Sequence, residues 1–186
     1  VAGLLARTIG WLCEGQIEEL RHTYDTSRTQ ESYYASIHGK TASLYGTAAR
    51  IGAIVSGHDQ QTIDALTEYG NAYGMVFQIV DDILDVTATD EQLGKPAGHD
   101  MVEGVYTLPV LRTLALGNAA ADELGSLLGA TLDPVSQRRA LKLVRSNDGV
   151  ASAMETAREY GDRAVAACSN FPETEAAAAL VAAPGA

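Results

Sequence analysis

The stretch Gly74-Met75-Val76-Phe77-Gln78-Ile79-Val80-Asp81-Asp82-Ile83-Leu84-Asp85-Val86 is apolar at nearly every position except Gln78 and three aspartates. At about 100° per residue on a helix, Asp81, Asp82 and Asp85 fall within one sector, and Gln78 lands in it too. Met, Val, Phe, Ile and Leu fill the rest of the circumference. A hydrophobic helix is expected to be buried, and moving a carboxylate into protein costs several kcal/mol even after relaxation. Three together need positive charge beside them. A hard divalent cation with oxygen ligands answers that need, and Mg²⁺ suits best. It typically takes one or two carboxylates and completes its shell with water and phosphate. The plainer reading of Asp-Asp-x-x-Asp is a solvated helix face. Residues 71–80 carry no charge, which confines the polar stripe to the acid cluster and Gln78 and favours a site at the end of a buried helix.

Outward from this stretch, the chain reads as helix after helix. Leu4, Leu5, Ile9, Leu12, Ile17 and Leu20 give a 3.6-residue pattern over 2–22. A polar break, Asp25-Thr-Ser-Arg-Thr-Gln30, leads to a helix over about 31–56 that ends near Gly57. Asp59 caps the next, which runs to about 87. Residues 88–106 form the one long irregular segment. Thr107 is expected to cap a helix with Pro109 in its first turn, and Asp133-Pro134 to start another. Asn147-Asp148-Gly149 precedes a helix over 150–169, and Phe171-Pro172 precedes an Ala-rich last helix and a frayed end. No alternating strand and no repeat is found. The expected fold is all-α, a single domain over 1–186.

Composition narrows the function. The 186 residues carry a net charge of −11, with 46% hydrophobic and 20% charged residues. A domain of this length buries roughly 70% of its unfolded surface. Lysine occurs only at 40, 95 and 142, and the absence of a basic stripe argues against nucleic acid. An acidic protein that binds a polyanion must concentrate its few cations or recruit metal. Cys13 and Cys168 stand far apart, which reads as two reduced thiols in a cytoplasmic protein. His22, His38, His58 and His99 show no zinc-type spacing. No apolar run reaches about 18 residues, so no transmembrane span is expected, and no signal-peptide pattern opens the chain. It opens without Met on what reads as mid-helix, so further sequence is expected upstream.

Two flanking motifs complete the pattern. Ile37-His-Gly-Lys-Thr-Ala-Ser-Leu-Tyr45 sets Lys40 and Thr41 among small and apolar residues. A P-loop reading of Gly39-Lys40-Thr41 fails, because Tyr34 stands where its first glycine belongs. Downstream, Leu93-Gly-Lys-Pro-Ala-Gly-His-Asp-Met-Val-Glu-Gly-Val-Tyr-Thr-Leu-Pro109 offers Lys95 as a compact cation, with Asp100 able to orient it or to bind metal through water. Taken alone, this is a surface loop with turn glycines.

Lys-Thr, then Phe-Gln-x-x-Asp-Asp-x-x-Asp, then Gly-Lys-x-x-Gly-x-Asp ending in Thr-Leu-Pro resembles the trans-isoprenyl diphosphate synthases over residues from about 10 to 112. The resemblance implies helices around a central cavity, usually in a homodimer, and a prenyltransferase that joins isopentenyl diphosphate head-to-tail onto an allylic diphosphate. It casts Asp81, Asp82 and Asp85 as the second aspartate-rich motif, holding Mg²⁺, and Lys40 and Lys95 as diphosphate-binding lysines. Lys40, Asp81 and Lys95 become the catalytic candidates. Thr41, Phe77, Gln78 and Asp100 join the two lysines in substrate binding.

Three departures accompany the match. The family's first Asp-Asp-x-x-Asp motif is not in this chain, nor are its basic residues for isopentenyl diphosphate, so the N-terminal helices of such a bundle are expected to be missing. Glu14-Gly15-Gln16 exchanges acid and amide relative to the usual motif, and Val105 replaces a frequent lysine. Two competing readings follow. A class I terpenoid cyclase shares the acid motif, but at Asn147-Asp148-Gly-Val-Ala151-Ser152-Ala-Met-Glu155 the hydroxyl falls one residue out of phase. The other is a non-catalytic, synthase-like subunit.

Overall fold

The computed structural model describes residues 1–89 and 97–185. Among them there is no strand. The helices are α1 (Ala2–Arg21), α2 (Gln30–Ile37), α3 (Ser43–Val55), α4 (Gln60–Thr87), α5 (His99–Val102), α6 (Leu108–Leu114), α7 (Ala119–Leu127), α8 (Pro134–Arg145), α9 (Gly149–Ala167) and α10 (Glu175–Ala182). A π-helical turn, His38–Ala42, joins α2 to α3, and a 3₁₀ turn, Ala183–Gly185, follows α10. No described helix is long and apolar enough to cross a membrane.

Two helix starts follow the local chemistry expected of them. Asp59 Oδ1 accepts the Thr62 N–H at 2.8 Å ahead of α4. Asp133 Oδ1 accepts from Val135 N and Ser136 N at 2.7 and 3.1 Å, with Pro134 at the first helical position. Three expectations are corrected. The helix expected over 31–56 is interrupted at 38–42. The helix after Thr107 stops at Leu114 and restarts at Ala119, where Asn118 Oδ1 accepts from Ala120 N and Ala121 N. Thr107 holds the extended backbone of a cap, yet its side chain makes no capping bond. Pro109, at the second helical position, has no N–H to give it.

The chain divides into two compact units. The first comprises Val1–Ile17, Ala35–Gln78 and Thr156–Ala186. In it α3 and α4 approach closely through small residues. A Cβ on Gly46 would lie 2.0 Å from Asn71 Oδ1, one on Gly70 2.5 Å from Tyr45 O, and one on Gly74 2.6 Å from Ala42 Cα. Contacts 46–71, 45–70 and 42–74 run antiparallel. Tyr69, Ala72, Ala164 and Cys168 form a buried cluster that Phe171 and Leu180 cover. The Tyr69 hydroxyl donates to Leu180 O at 2.9 Å, fastening α10.

The second unit comprises Glu18–Tyr34 and Ile79–Glu155. Here α6, α7 and α8 pack on one another. Ile79, Leu108, Val110, Leu124 and Val144 are each 0% exposed. Truncating such a side chain to Ala typically costs about 2–5 kcal/mol. Arg112 ties α6 to α2 and α9, donating to Gln30 Oε1 at 3.2 Å, to Tyr34 Oη at 3.1 Å and to Ser152 Oγ at 2.7 Å.

Candidate functional site

The acidic end of α4 lies in the second unit, and the three aspartates differ in environment. Asp82 and Asp85 are 3% and 4% exposed, whereas Asp81 is exposed. Each buried aspartate is held by another element. The Tyr33 hydroxyl of α2 donates to Asp82 Oδ2 at 2.6 Å. The Asp100 N–H, in the first turn of α5, donates to Asp85 Oδ2 at 3.3 Å, and the Gly98 N–H donates to Asp85 O at 2.7 Å. Gly98 is required where it stands. Its φ is +73°, and a Cβ there would meet Leu141 Cδ2 at 2.9 Å. From α8, Arg145 donates to Val86 O and Ala88 O, satisfying carbonyls at the C-terminal end of α4.

Tyr33 and Arg28 extend the arrangement. Tyr33 is 1% exposed and Arg28 5%. The Arg28 guanidinium carbon lies 5.7 Å from the centre of the Tyr33 ring, and its Nη1 donates to Tyr106 O at 3.2 Å. Burial pushes the Tyr33 phenol well above its ordinary pKa, and the neighbouring Asp82 charge adds to the rise. Burial pulls Arg28 below its ordinary value, against the attraction of Glu19, Tyr33 and Asp82. Sequence reasoning missed both residues. Tyr33 sits in an apolar helical pattern and reads as core, and Arg28 sits in a polar stretch that reads as a linker.

The lysine motif lies in the first unit, on the π-helical turn. The Ser43 N–H reaches back five residues to His38 O, and the Ser43 hydroxyl donates to Gly39 O at 2.6 Å. Such single π turns inside helices are rare and occur frequently at functional sites. Against it α1 presents Gly15, whose Cβ would stand 2.5 Å from Lys40 N and 2.6 Å from Ser36 O. Lys40 and Thr41 are half-buried. The antiparallel approach of α3 and α4 carries Thr41 to Gln78, and the Thr41 hydroxyl donates to Gln78 Oε1 at 2.7 Å. Phe77 is 48% exposed, with its ring centre 5.4 Å from that of Tyr45. Gln16 is exposed and Val105 half-buried.

The structure therefore brings together Thr41 with Gln78, and Asp85 with the backbone of Asp100. Lys95 lies outside the described residues. Among the described residues no three His, Cys, Asp or Glu side chains form a group able to hold a metal ion by themselves. The donors offered at the end of α4 are nonetheless all carboxylate oxygens. Such a set fits a hard ion that takes one or two protein ligands and completes its shell elsewhere.

Known proteins resemble this chain in sequence and in fold. The family model described as polyprenyl synthetase matches residues 1–144. The heptaprenyl diphosphate synthase component 2 of Geobacillus stearothermophilus is 34% identical over 173 residues, which cover 93% of this chain and 53% of that protein. The nonaprenyl diphosphate synthase of Mycobacterium tuberculosis is 35% identical over 182 residues, covering 96% and 54%. A crystal structure of a polyprenyl synthase from Caulobacter crescentus, complexed with calcium and isoprenyl diphosphate, superposes with a TM-score of 0.93 at 32% identity. The superposition covers 98% of this chain and 56% of that one. The chain spans about half the length of the relatives it matches.

Proposed function

We propose, since the chain belongs to the polyprenyl synthetase family, that it supplies the second aspartate-rich site of a prenyltransferase. The reaction is head-to-tail condensation of isopentenyl diphosphate with an allylic diphosphate, giving a linear polyprenyl diphosphate. The observation that carries this reading is the acidic end of α4, where two buried aspartates and one exposed one share a face of an otherwise apolar helix.

Asp81, Asp82 and Asp85 are the residues that would hold Mg²⁺. When bound, that ion supplies electrostatic stabilisation to the departing diphosphate. Lys40 and Lys95 neutralise diphosphate oxygens as compact point charges. Thr41, Phe77 and Gln78 meet the reacting end of the allylic chain, and Asp100 orients Lys95 or takes a metal-bound water. Cleavage of the allylic carbon–oxygen bond leaves a carbocation, which the double bond of isopentenyl diphosphate attacks. A proton is then lost to the diphosphate. Water must be kept out, because it would quench the cation.

A homodimer is the assembly we assign. Leu5, Ile9 and Ile17 are 47%, 64% and 50% exposed, and α1 sets them on one face, which supports a protein contact there. Unpaired Cys13 and Cys168 support a cytoplasmic setting.

Mass analysis of products from isopentenyl diphosphate and several allylic primers tests the reading. Products lengthened by five-carbon steps are expected, and their loss in Asp81→Ala links the reaction to this site. A cyclised hydrocarbon formed from the allylic diphosphate alone would overturn it in favour of a cyclase. The second reading is a synthase-like subunit, for which the name of the Geobacillus relative, a component 2, speaks. It predicts product only when a second, different chain is added.

A further inference from the structure

We infer that Tyr33, braced by Arg28, is a positioning residue that fixes the Asp82 carboxylate for metal–diphosphate binding. The inference rests on the reading of Asp82 as a metal ligand. It stands on the contact of three buried side chains of one unit, from α2, α4 and the segment before α2. Tyr33 Oη lies 2.6 Å from Asp82 Oδ2, a short bond of the charge-assisted kind. A carboxylate bound at one oxygen through a fixed donor loses its freedom to rotate, so its geometry is set before an ion arrives. Groups hydrogen-bonded to metal ligands act in this way, and changing them typically costs about 10–100-fold in metal affinity or activity.

The hydroxyl serves this purpose only if the ring behind it is held. Tyr33 is 1% exposed, so its ring has no room to swing. Arg28 lies over that ring at 5.7 Å, close enough for a cation–π attraction. It is anchored in turn by its bond to Tyr106 O at 3.2 Å. Arg28 belongs to the segment between α1 and α2, so the brace reaches Asp82 from a segment 54 residues earlier in the chain. A neutral donor suits the position. It gives the carboxylate a hydrogen bond without adding a second cation beside it, next to the Arg28 charge it already feels.

The test measures Mn²⁺ binding in the presence of inorganic diphosphate by electron paramagnetic resonance, on the intact chain and four variants. Asp82→Asn reports whether Asp82 is a ligand at all. Tyr33→Phe removes only the hydroxyl. Thr113→Val removes another buried hydroxyl of the same unit, one that donates to Pro109 O at 2.8 Å, and serves as the structural control. Tyr33→Phe is expected to weaken Mn²⁺ binding about 10–100-fold and to broaden the bound-ion spectrum, while Thr113→Val stays within about twofold. Arg28→Lys keeps the charge and loses the fork, so it is expected to weaken binding several-fold. It decides the matter if Tyr33→Phe does not fold. If Asp82→Asn weakens binding and folded Tyr33→Phe does not, or Arg28→Lys does not where it must decide, the positioning role is wrong and the metal reading survives. If Asp82→Asn leaves binding unchanged, the metal reading itself fails and this inference falls with it.

Discussion

Replacing Gly15 by Ala puts a methyl carbon 2.5 Å from Lys40 N, 2.6 Å from Ser36 O and 2.9 Å from Gly39 C. All three atoms are backbone, so no change of rotamer relieves the overlap. Either α1 retreats or the π-helical turn moves. Forcing extra volume into a packed interface typically costs about 1–3 kcal/mol, and three backbone clashes put this substitution near 3. Alanine returns up to about 1 kcal/mol through its higher helix propensity. The net is about 2 kcal/mol of destabilisation. In a chain of this size, each kcal/mol shifts the melting temperature by about 2–4 °C, so Tm falls by about 4–8 °C.

Gly10 supplies the internal control. It lies on the same helix, and a Cβ there meets nothing within 4 Å. Only propensity acts, so Gly10→Ala gains up to about 1 kcal/mol and raises Tm by up to about 4 °C. Thermal melts followed by far-UV circular dichroism read the two variants side by side. Opposite signs are required. A Gly15→Ala protein that melts at or above the wild-type temperature would refute the claim that α1 is locked on the Lys40 turn through this glycine.

Three further outcomes are expected. The Asp25 carboxyl is held down at about 2, chiefly by the Ser27 hydroxyl and then by His22. A depressed carboxyl contributes stability that is present above its ordinary 3.8 and is lost as pH falls towards 2. Asp25→Asn therefore flattens the stability–pH curve in that window, and equal acid sensitivity in variant and wild type would count against the assignment. Asn118→Ala removes the two capping bonds of α7 and costs about 1 kcal/mol by urea denaturation. Thr107→Val, at a cap whose side chain makes no such bond, costs less than half as much; equal losses would contradict the capping account. Ile9→Glu with Ile17→Glu charges the exposed apolar face of α1, and if that face carries the proposed homodimer, light scattering finds monomer in place of dimer. An unchanged mass would remove that face from the assembly.

The helices were legible because their signals are local. Asp59 and Asp133 each sit two or three residues from the N–H groups they cap, and that spacing is visible in the sequence. The acid face of α4 was legible for the same reason, since i, i+3, i+4 and i+7 on one helix need no tertiary knowledge. Thr107 marks the start of its helix as expected, but its side chain leaves the Val110 N–H untaken and Pro109 has none to give, a detail that the cap residue's type does not report. The π-helical turn left no signal of its own. Gly46, Gly70 and Gly74 allow α3 and α4 to approach, but which glycines face a neighbour is settled only by packing.

The differing states of the three aspartates were illegible for a more basic reason. Three carboxylates on an apolar helix show that donors must exist without showing where they are. For Asp82 the donor is 49 residues away and is a tyrosine, a residue type that an apolar pattern absorbs without comment. For the Asp85 carboxylate the donor is the backbone N–H of Asp100, while the Gly98 N–H goes to the Asp85 carbonyl, and no side-chain identity encodes a backbone donor. Asp100 drew attention for its carboxylate, yet its amide makes the contact with Asp85. Spacing within one helix thus reports which carboxylates share a face. What holds the binding groups still is distributed over other elements, in residues whose types carry no warning. Variants chosen from the motif alone would test the proposed ligands and leave Tyr33 and Arg28 untouched.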